Sequence, residues 1–219
     1  MQRITARLMV SVITIWATAA TAGSPGQGIN EGFDTGVAGW EGYTSKIKVT
    51  HEASGGNPGG YAKADGQMSL GFTTTDARYT GNMATRHLGD FQLDLMPVKC
   101  ESDTKPSLIA RYDASDNGWS FKFNDFACNH RTWKTYTAPF VPTWSDAEAT
   151  AAGWKKENGT QKSFAETMQH VGRLAVVQEV SFRMSLLGMD NFRINAKPIG
   201  AVVPKSVPAT PAALKKTGK

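Results

Sequence analysis

Leu186-Leu187-Gly188-Met189-Asp190-Asn191-Phe192-Arg193-Ile194-Asn195 is the last segment of the chain that reads as folded. Phe192, Ile194 and Ala196 alternate with Asn191, Arg193 and Asn195, the period-two pattern of a half-buried strand. Asp190 and Asn191 stand at its entrance, where side-chain oxygens cap a turn or bind a cation. A similar fragment lies near the start of the folded chain: Gly32-Phe33-Asp34-Thr35-Gly36, then Gly39-Trp40. The expectation is that these two ends lie side by side in a β-sandwich.

Between them the chain reads as short strands broken by turn residues. Ile47 and Val49 alternate with Lys46, Lys48 and Thr50, and Phe91, Leu93 and Leu95 alternate with Gln92 and Asp94. Leu108, Ala110 and Tyr112 alternate with Ile109 and Arg111. After a hairpin turn expected at Asp116-Asn117-Gly118, Trp119, Phe121 and Phe123 alternate with Ser120, Lys122 and Asn124. Ser54 to Gly60 is a turn-rich block, because its glycines admit positive φ and its proline fixes φ. Many short strands with Gly, Asn and Asp turns predict an all-β sandwich or barrel. Two interruptions have the capping-box form, Ser145 with Glu148 and Ser163 with Glu166. After the second, Phe164, Met168 and Val171 share one face of a short helix, expected over one end of the sandwich.

The two ends of the chain are different objects. Arg3 and Arg7 precede an apolar run, Leu8 to Ala20, closed by Ala20-Thr21-Ala22. That pattern predicts a signal peptide over residues 1–22, cleaved before Gly23. The domain is expected over 23–196, with a disordered basic tail over 197–219, rich in Pro, Lys and Ala. No later segment reaches the roughly 18 apolar residues of a membrane span. The net charge of +5 belongs to these ends. The leader holds two arginines and no acid, and the tail five lysines and no acid, so the body between them is net acidic by two. The basic balance therefore gives no reason to expect a nucleic-acid groove. Cys100 and Cys128 form either one disulfide or two buried thiols, and an exported chain favours the disulfide.

Local signatures of catalysis are missing. His51, His87, His130 and His170 are scattered, with no HExxH and no paired Cys/His spacing for zinc. No Gly-x-Ser-x-Gly elbow occurs, and Gly55 to Gly60 lacks the Lys-Ser/Thr of a phosphate loop. Carboxylate pairs such as Asp113 with Asp116, or Glu101 with Asp125, are judged only in space. Aromatic residues are more suggestive, since an exposed ring can stack on a sugar. Trp119 and Trp133 flank turn or strand-edge segments and are the leading ligand-facing candidates, with Tyr112 beside them. The competing account puts most aromatics in the core.

Phe33-Asp34-Thr35-Gly36 with Trp40, Gly55-Gly56-Asn57-Pro58-Gly59-Gly60-Tyr61, then Trp144, Gly153, Phe164, Val171, Leu174 and Met189-Asp190-Asn191-Phe192 come in an order that resembles the laminin IV (laminin B) domain. The likeness covers most of residues 29–196. It implies a jelly-roll β-sandwich of the galactose-binding-like type, usually non-catalytic and extracellular. It also implies a structural calcium where the first and last strands meet, on Asp34 and Asp190, helped by main-chain carbonyls near Gly36 or Asn57 and by Asp65. The alternative is that these aspartates only cap turns. Laminin domains of this kind sit between cysteine-rich repeats, which this chain lacks, so a free-standing secreted module is expected.

The reading that follows is a secreted, non-catalytic module binding an extracellular glycan or glycoprotein. The alternatives are a structural or adhesive protein making protein contacts, and a jelly-roll hydrolase or lyase. Exposed aromatics in a cleft favour the first, a broad flat apolar patch the second, and two facing carboxylates in a groove the third.

Overall fold

A computed structural model describes residues 27–100, 104–180 and 184–196. The expected leader, its cleavage site, the basic tail and Glu101 lie outside the described residues.

The strands are short because turn residues recur every few positions, and among the described residues two run to twelve residues, Leu88–Lys99 and Ser185–Ala196. In chain order they are β1 (Ile29–Glu31), β2 (Glu41–Gly42), β3 (Lys48–Glu52), β4 (Tyr61–Gly66), β5 (Ser69–Thr74) and β6 (Leu88–Lys99). Then come β7 (Ser107–Arg111), β8 (Trp119–Lys122), β9 (Lys134–Ala138), α1 (Asp146–Ala151), β10 (Trp154–Lys156), α2 (Phe164–Gln169), β11 (Arg173–Glu179) and β12 (Ser185–Ala196).

Two antiparallel sheets face each other among the described residues. The first runs β3-β4-β12-β6-β9, with β1 also paired to β12. The second runs β10-β8-β7-β11-β5-β2. β12 is the hub of the first sheet. β4 pairs with its first half, β1 takes over along its second half, and β6 lines its other edge. Ile29 sits opposite Ile194 and Glu31 opposite Phe192, so the two ends of the domain are neighbours.

The core lies between the sheets. Phe33, Phe72, Phe91, Leu108, Val176 and Phe192 are fully buried there. Each such side chain contributes roughly 1.5–3 kcal/mol by leaving water. Trp40 meets Phe192 edge-on at 4.8 Å, which pins the Phe33–Trp40 loop to the closing strand. Both helices form with their capping boxes complete. Asp146 at the start of α1 accepts the Phe164 backbone N–H at 2.8 Å and so ties the helices together. Phe164 caps one end of the core, edge-on to Trp119 and Trp154 at 5.3 Å each. α2 stops at Gln169. Val171, expected on its face, instead joins a bridge to Gly81.

Three further expectations change in detail. Asp190 and Asn191 are not at the entrance of the closing strand but in its middle, at a β-bulge where the register against β6 shifts and Asn191 adopts φ 47°. The extra residue frees two consecutive side chains from strict alternation. The link from β7 to β8 is not a tight hairpin. It is a loop in which Asp113 accepts the backbone N–H groups of Ser115 and Asp116, and Asp116 accepts that of Gly118. Cys100 and Cys128 are joined as a disulfide, tying the segment after β6 to the loop after β8.

Candidate functional site

Strand parity in the second sheet sends one set of side chains inward and leaves the other on the outer face. On β7, Leu108 and Ala110 are buried, whereas Ser107, Ile109 and Arg111 point away from the core. On β8, Trp119 faces in, while Ser120 and Lys122 face out. On β11, Leu174 and Val176 fill the core, and Val177 and Glu179 lie opposite them. The outward set lines a groove of about 480 Å³ across the sheet.

Loops build its walls. Tyr43 follows β2 and donates its backbone N–H to Gly71 at 3.0 Å. A Cβ at Gly71 would fall 2.0 Å from the Val176 carbonyl, so the floor beside the tyrosine has to be glycine. Arg111 donates from Nη2 to the Tyr43 hydroxyl at 2.5 Å, with its guanidinium 5.6 Å from the ring centre. The opposite wall is Glu157 and Asn158. Glu157 donates its backbone N–H to Gly118 at 3.0 Å, and its carboxylate accepts the Ser120 hydroxyl. Asn117 donates to the Asn158 carbonyl, and Thr160 to that of Gly118 at 2.9 Å, which locks this wall to the β7–β8 loop. The result is an open, polar surface on a floor of paired strands.

The three ligand-facing candidates from the sequence do not line this groove. Trp119 is 1% exposed and belongs to the core, a correction that follows from its parity on β8. Its indole N–H donates to the Lys162 carbonyl at 3.3 Å. Trp133 is half-buried against the other sheet. It donates to the Gly55 carbonyl at 2.8 Å, meets Tyr61 edge-on at 5.3 Å, and covers Gly188. Tyr112 stacks on His170 at 4.4 Å, with Lys162 Nζ 4.8 Å from its ring, beyond the end of β7. The alternation of β7 and β8 marks Arg111 and Lys122 as the polar members of their strands but gives them no role, and nothing in the sequence singles out Tyr43, Glu157 or Glu179.

The proposed acid pairs do not assemble a catalytic centre. Asp113 Oδ1 accepts the N–H groups of Ser115 and Asp116, and Asp116 Oδ1 accepts that of Gly118, while Asp116 Oδ2 is buried without a partner among the described residues. Asp125 pairs with Lys134 at 2.7 Å, and its expected companion Glu101 lies outside the described residues. Glu157 and Glu179 do share the groove. They are held by separate hydroxyls, Glu157 by Ser120 and Glu179 by Ser69.

The aspartates proposed for calcium divide. Asp34 and Asp190 both face the Asn57–Gly60 turn. Asp190 accepts the backbone N–H groups of Asn57 at 2.5 Å and Asn191 at 2.7 Å, and Asp34 that of Gly60 at 3.4 Å. A Cβ at Gly59 would fall 2.1 Å from Asp34 Oδ1. One at Gly56 would fall 2.1 Å from the Gly60 carbonyl oxygen and 2.8 Å from Asp190 Oδ2, so bare glycines leave room for oxygens to converge. Asp65 does not join them. It pairs with Leu186, four residues along β12 from Asp190, roughly 13 Å away. Asp94 was not foreseen. It sits opposite Asp190, is 3% exposed, and accepts hydrogen bonds from Asn57, Thr135 and Asn191 side chains. Burial pushes the Asp190 carboxyl above the usual carboxylate range. The two N–H bonds pull it back, and the charges of Asp94 and Asp34 push it up again. Among the described residues no three His, Cys, Asp or Glu side chains converge as a metal-binding group, so a cation here would rely on main-chain oxygens as well.

The architecture defines a jelly-roll β-sandwich. No protein-family model matches the sequence, and no curated protein matches it. Among solved structures, the chain is similar to the family 11 carbohydrate-binding module from Clostridium thermocellum in complex with a β-1,3-1,4-mixed-linked tetrasaccharide. The identity is 14%, over 80% of this chain and 98% of that one, with a TM-score of 0.52. It is likewise similar to the family 11 module of a cellulosomal cellulase from the same organism, with 15% identity over 80% and 97% and a TM-score of 0.51. At that identity the likeness concerns the fold.

Proposed function

We propose that this chain is a non-catalytic, exported module that binds a polysaccharide along the outer face of its second sheet. The observation that carries the reading is the groove itself. It is an open trough with a flat strand floor, edged by Tyr43, Arg111 and the Glu157–Asn158 wall. Its polar groups are spread out rather than converging on one point, as a chain-like ligand requires and a reaction centre does not. The similar folds include modules whose names state carbohydrate binding, which is consistent with this use of the surface. The disulfide and the expected leader support export. The laminin IV likeness supports the same architecture and an extracellular setting. A purely adhesive role has less behind it. The large apolar side chains exposed among the described residues are Met68 and Met184, less than half exposed each, short of a patch of a few hundred Å².

The proposal includes a structural calcium at the bulge of β12. Asp34 and Asp190 would hold it, with the Gly60 carbonyl as a main-chain ligand. The fit rests on a fully buried carboxylate that forms no ion pair among the described residues, beside bare glycines that leave space for oxygens. Such a cation would supply no chemistry. It would neutralise Asp190 and clamp the Asn57–Gly60 turn to the last strand.

Affinity electrophoresis through gels cast with a panel of soluble polysaccharides tests the main reading. At least one glycan is expected to retard the chain. Tyr43→Ala should weaken that retention by about three- to tenfold, because it removes one edge of the groove and the hydroxyl that holds Arg111. Trp133→Ala should leave it unchanged. Free migration in every gel overturns the proposal.

A further inference from the structure

We infer that the groove is built for an acidic polysaccharide, one bearing uronate carboxylates, rather than for a neutral glycan. This rests on the glycan-binding reading above and narrows it.

Charge is the first argument. The body of the chain is net acidic, yet the groove gathers Lys105, Arg111 and Lys122 against Glu157 and Glu179. Both acids are already engaged. Glu157 accepts the Ser120 hydroxyl and lies 3.8 Å from Lys155, and Glu179 accepts the Ser69 hydroxyl with both oxygens. The cations are less well served. Neither Arg111 nor Lys122 forms an ion pair among the described residues.

Geometry is the second. Arg173 stands directly opposite Arg111 on the neighbouring strand, with the same outward parity. Like charges in that position repel and weaken a ladder. Arg173 also forms no ion pair among the described residues, and its Nε donates to the Thr73 hydroxyl at 2.8 Å. Arg111 donates from Nη2 to Tyr43, while its Nε is buried and has no acceptor. The buried Nε fixes the guanidinium against the sheet and leaves its Nη groups as the ones turned to the groove. A guanidinium presents its N–H groups as a fork that matches a carboxylate, and two of them side by side form an anion seat.

The groove also offers little aromatic surface. Tyr43 is the aromatic residue in its lining, and its face is taken by the Arg111 guanidinium. A neutral glycan would find little ring surface to stack on. Attraction between fixed cations and repeated carboxylates replaces that stacking.

The full chain is to be assayed against polygalacturonate, alginate, the methyl ester of polygalacturonate, neutral mixed-linked β-glucan and dextran sulfate, each at low and high salt. A uronate polymer is expected to bind at least about tenfold more tightly than the methyl ester, which keeps the sugar backbone and removes the charge. High salt should weaken that binding. Arg111→Gln should weaken it about tenfold or more with the melting temperature unchanged. Because that variant keeps every lysine of the tail, its loss assigns binding to the groove. Equal or better binding of the ester or of β-glucan overturns the inference and leaves the glycan reading standing. Retention on polyanions, dextran sulfate included, that survives Arg111→Gln means unspecific attraction and also overturns it. Failure of every polymer to bind removes both.

Discussion

Arg78 donates from Nε to both oxygens of Asp76 at 3.2 Å and from Nη2 at 2.9 Å, and reaches the Ala38 carbonyl at 2.6 Å. That guanidinium holds the Asp76 carboxyl below the usual carboxylate range. Burial opposes it, and the Arg78 backbone N–H assists. The folded state therefore releases this proton more readily than the unfolded chain does. The resulting stability is complete above the ordinary aspartate range and is lost as pH falls through the depressed folded value. Arg78 is 44% exposed, so screening keeps the effect at or below about 1 kcal/mol. Urea titrations of Asp76→Asn should show that deficit near neutral pH and none in strong acid, and a deficit that persists in acid would contradict the assignment. At this same scale, parity made the burial of Trp119 legible, since it alternates with Ser120 and Lys122 along a strand. Its place beside a turn suggested exposure, and the alternation was the better guide. The role of Trp133 was not legible, because its partners Gly55, Tyr61 and Gly188 lie on separate parts of the chain.

Elements were read more securely than single residues. β12 is legible from its alternation and α2 from its capping box and apolar face, while α1 is signalled by its capping box alone, since these signals are local and physical. The bulge at Asp190 and Asn191 was not legible. A register shift is a relation between β12 and β6, and the sequence of β12 alone carries no sign of it. The disulfide also acts at this scale, because it holds the segment after β6 against the loop after β8 across 28 residues of sequence. Closing a loop of that size is worth about 3–4 kcal/mol in the chain-entropy model. Replacing both cysteines with serine should lower the unfolding free energy by about that amount without changing the far-ultraviolet circular dichroism spectrum. A loss below about 1 kcal/mol would show that the bridge constrains little.

Across the whole molecule, the pairing of the first and last strands brings Asp34, the Asn57–Gly60 turn and Asp190 together. If calcium sits there, adding EDTA to the calcium-loaded chain should lower the melting temperature. A cation at a hundred times its dissociation constant stabilises by about 2.7 kcal/mol, or a shift on the order of 5–10 °C. Asp190→Asn should abolish the response, and an unchanged midpoint in wild type would exclude the site. The pairing of the ends was legible, because both carry matched aromatic and aspartate signals. The groove was not. Tyr43, Arg111, Lys122, Glu157 and Glu179 come from five separate segments and share no spacing, so only the stacking of β8, β7, β11 and β5 makes them one surface. Amide chemical-shift mapping with a bound oligosaccharide shows whether that surface takes the ligand. The amides expected to shift are those of Tyr43, Ser107, Ile109, Lys122 and Val177. Shifts gathered around Trp133 and Gly55 on the opposite sheet, with the groove unmoved, would contradict this placement of the ligand.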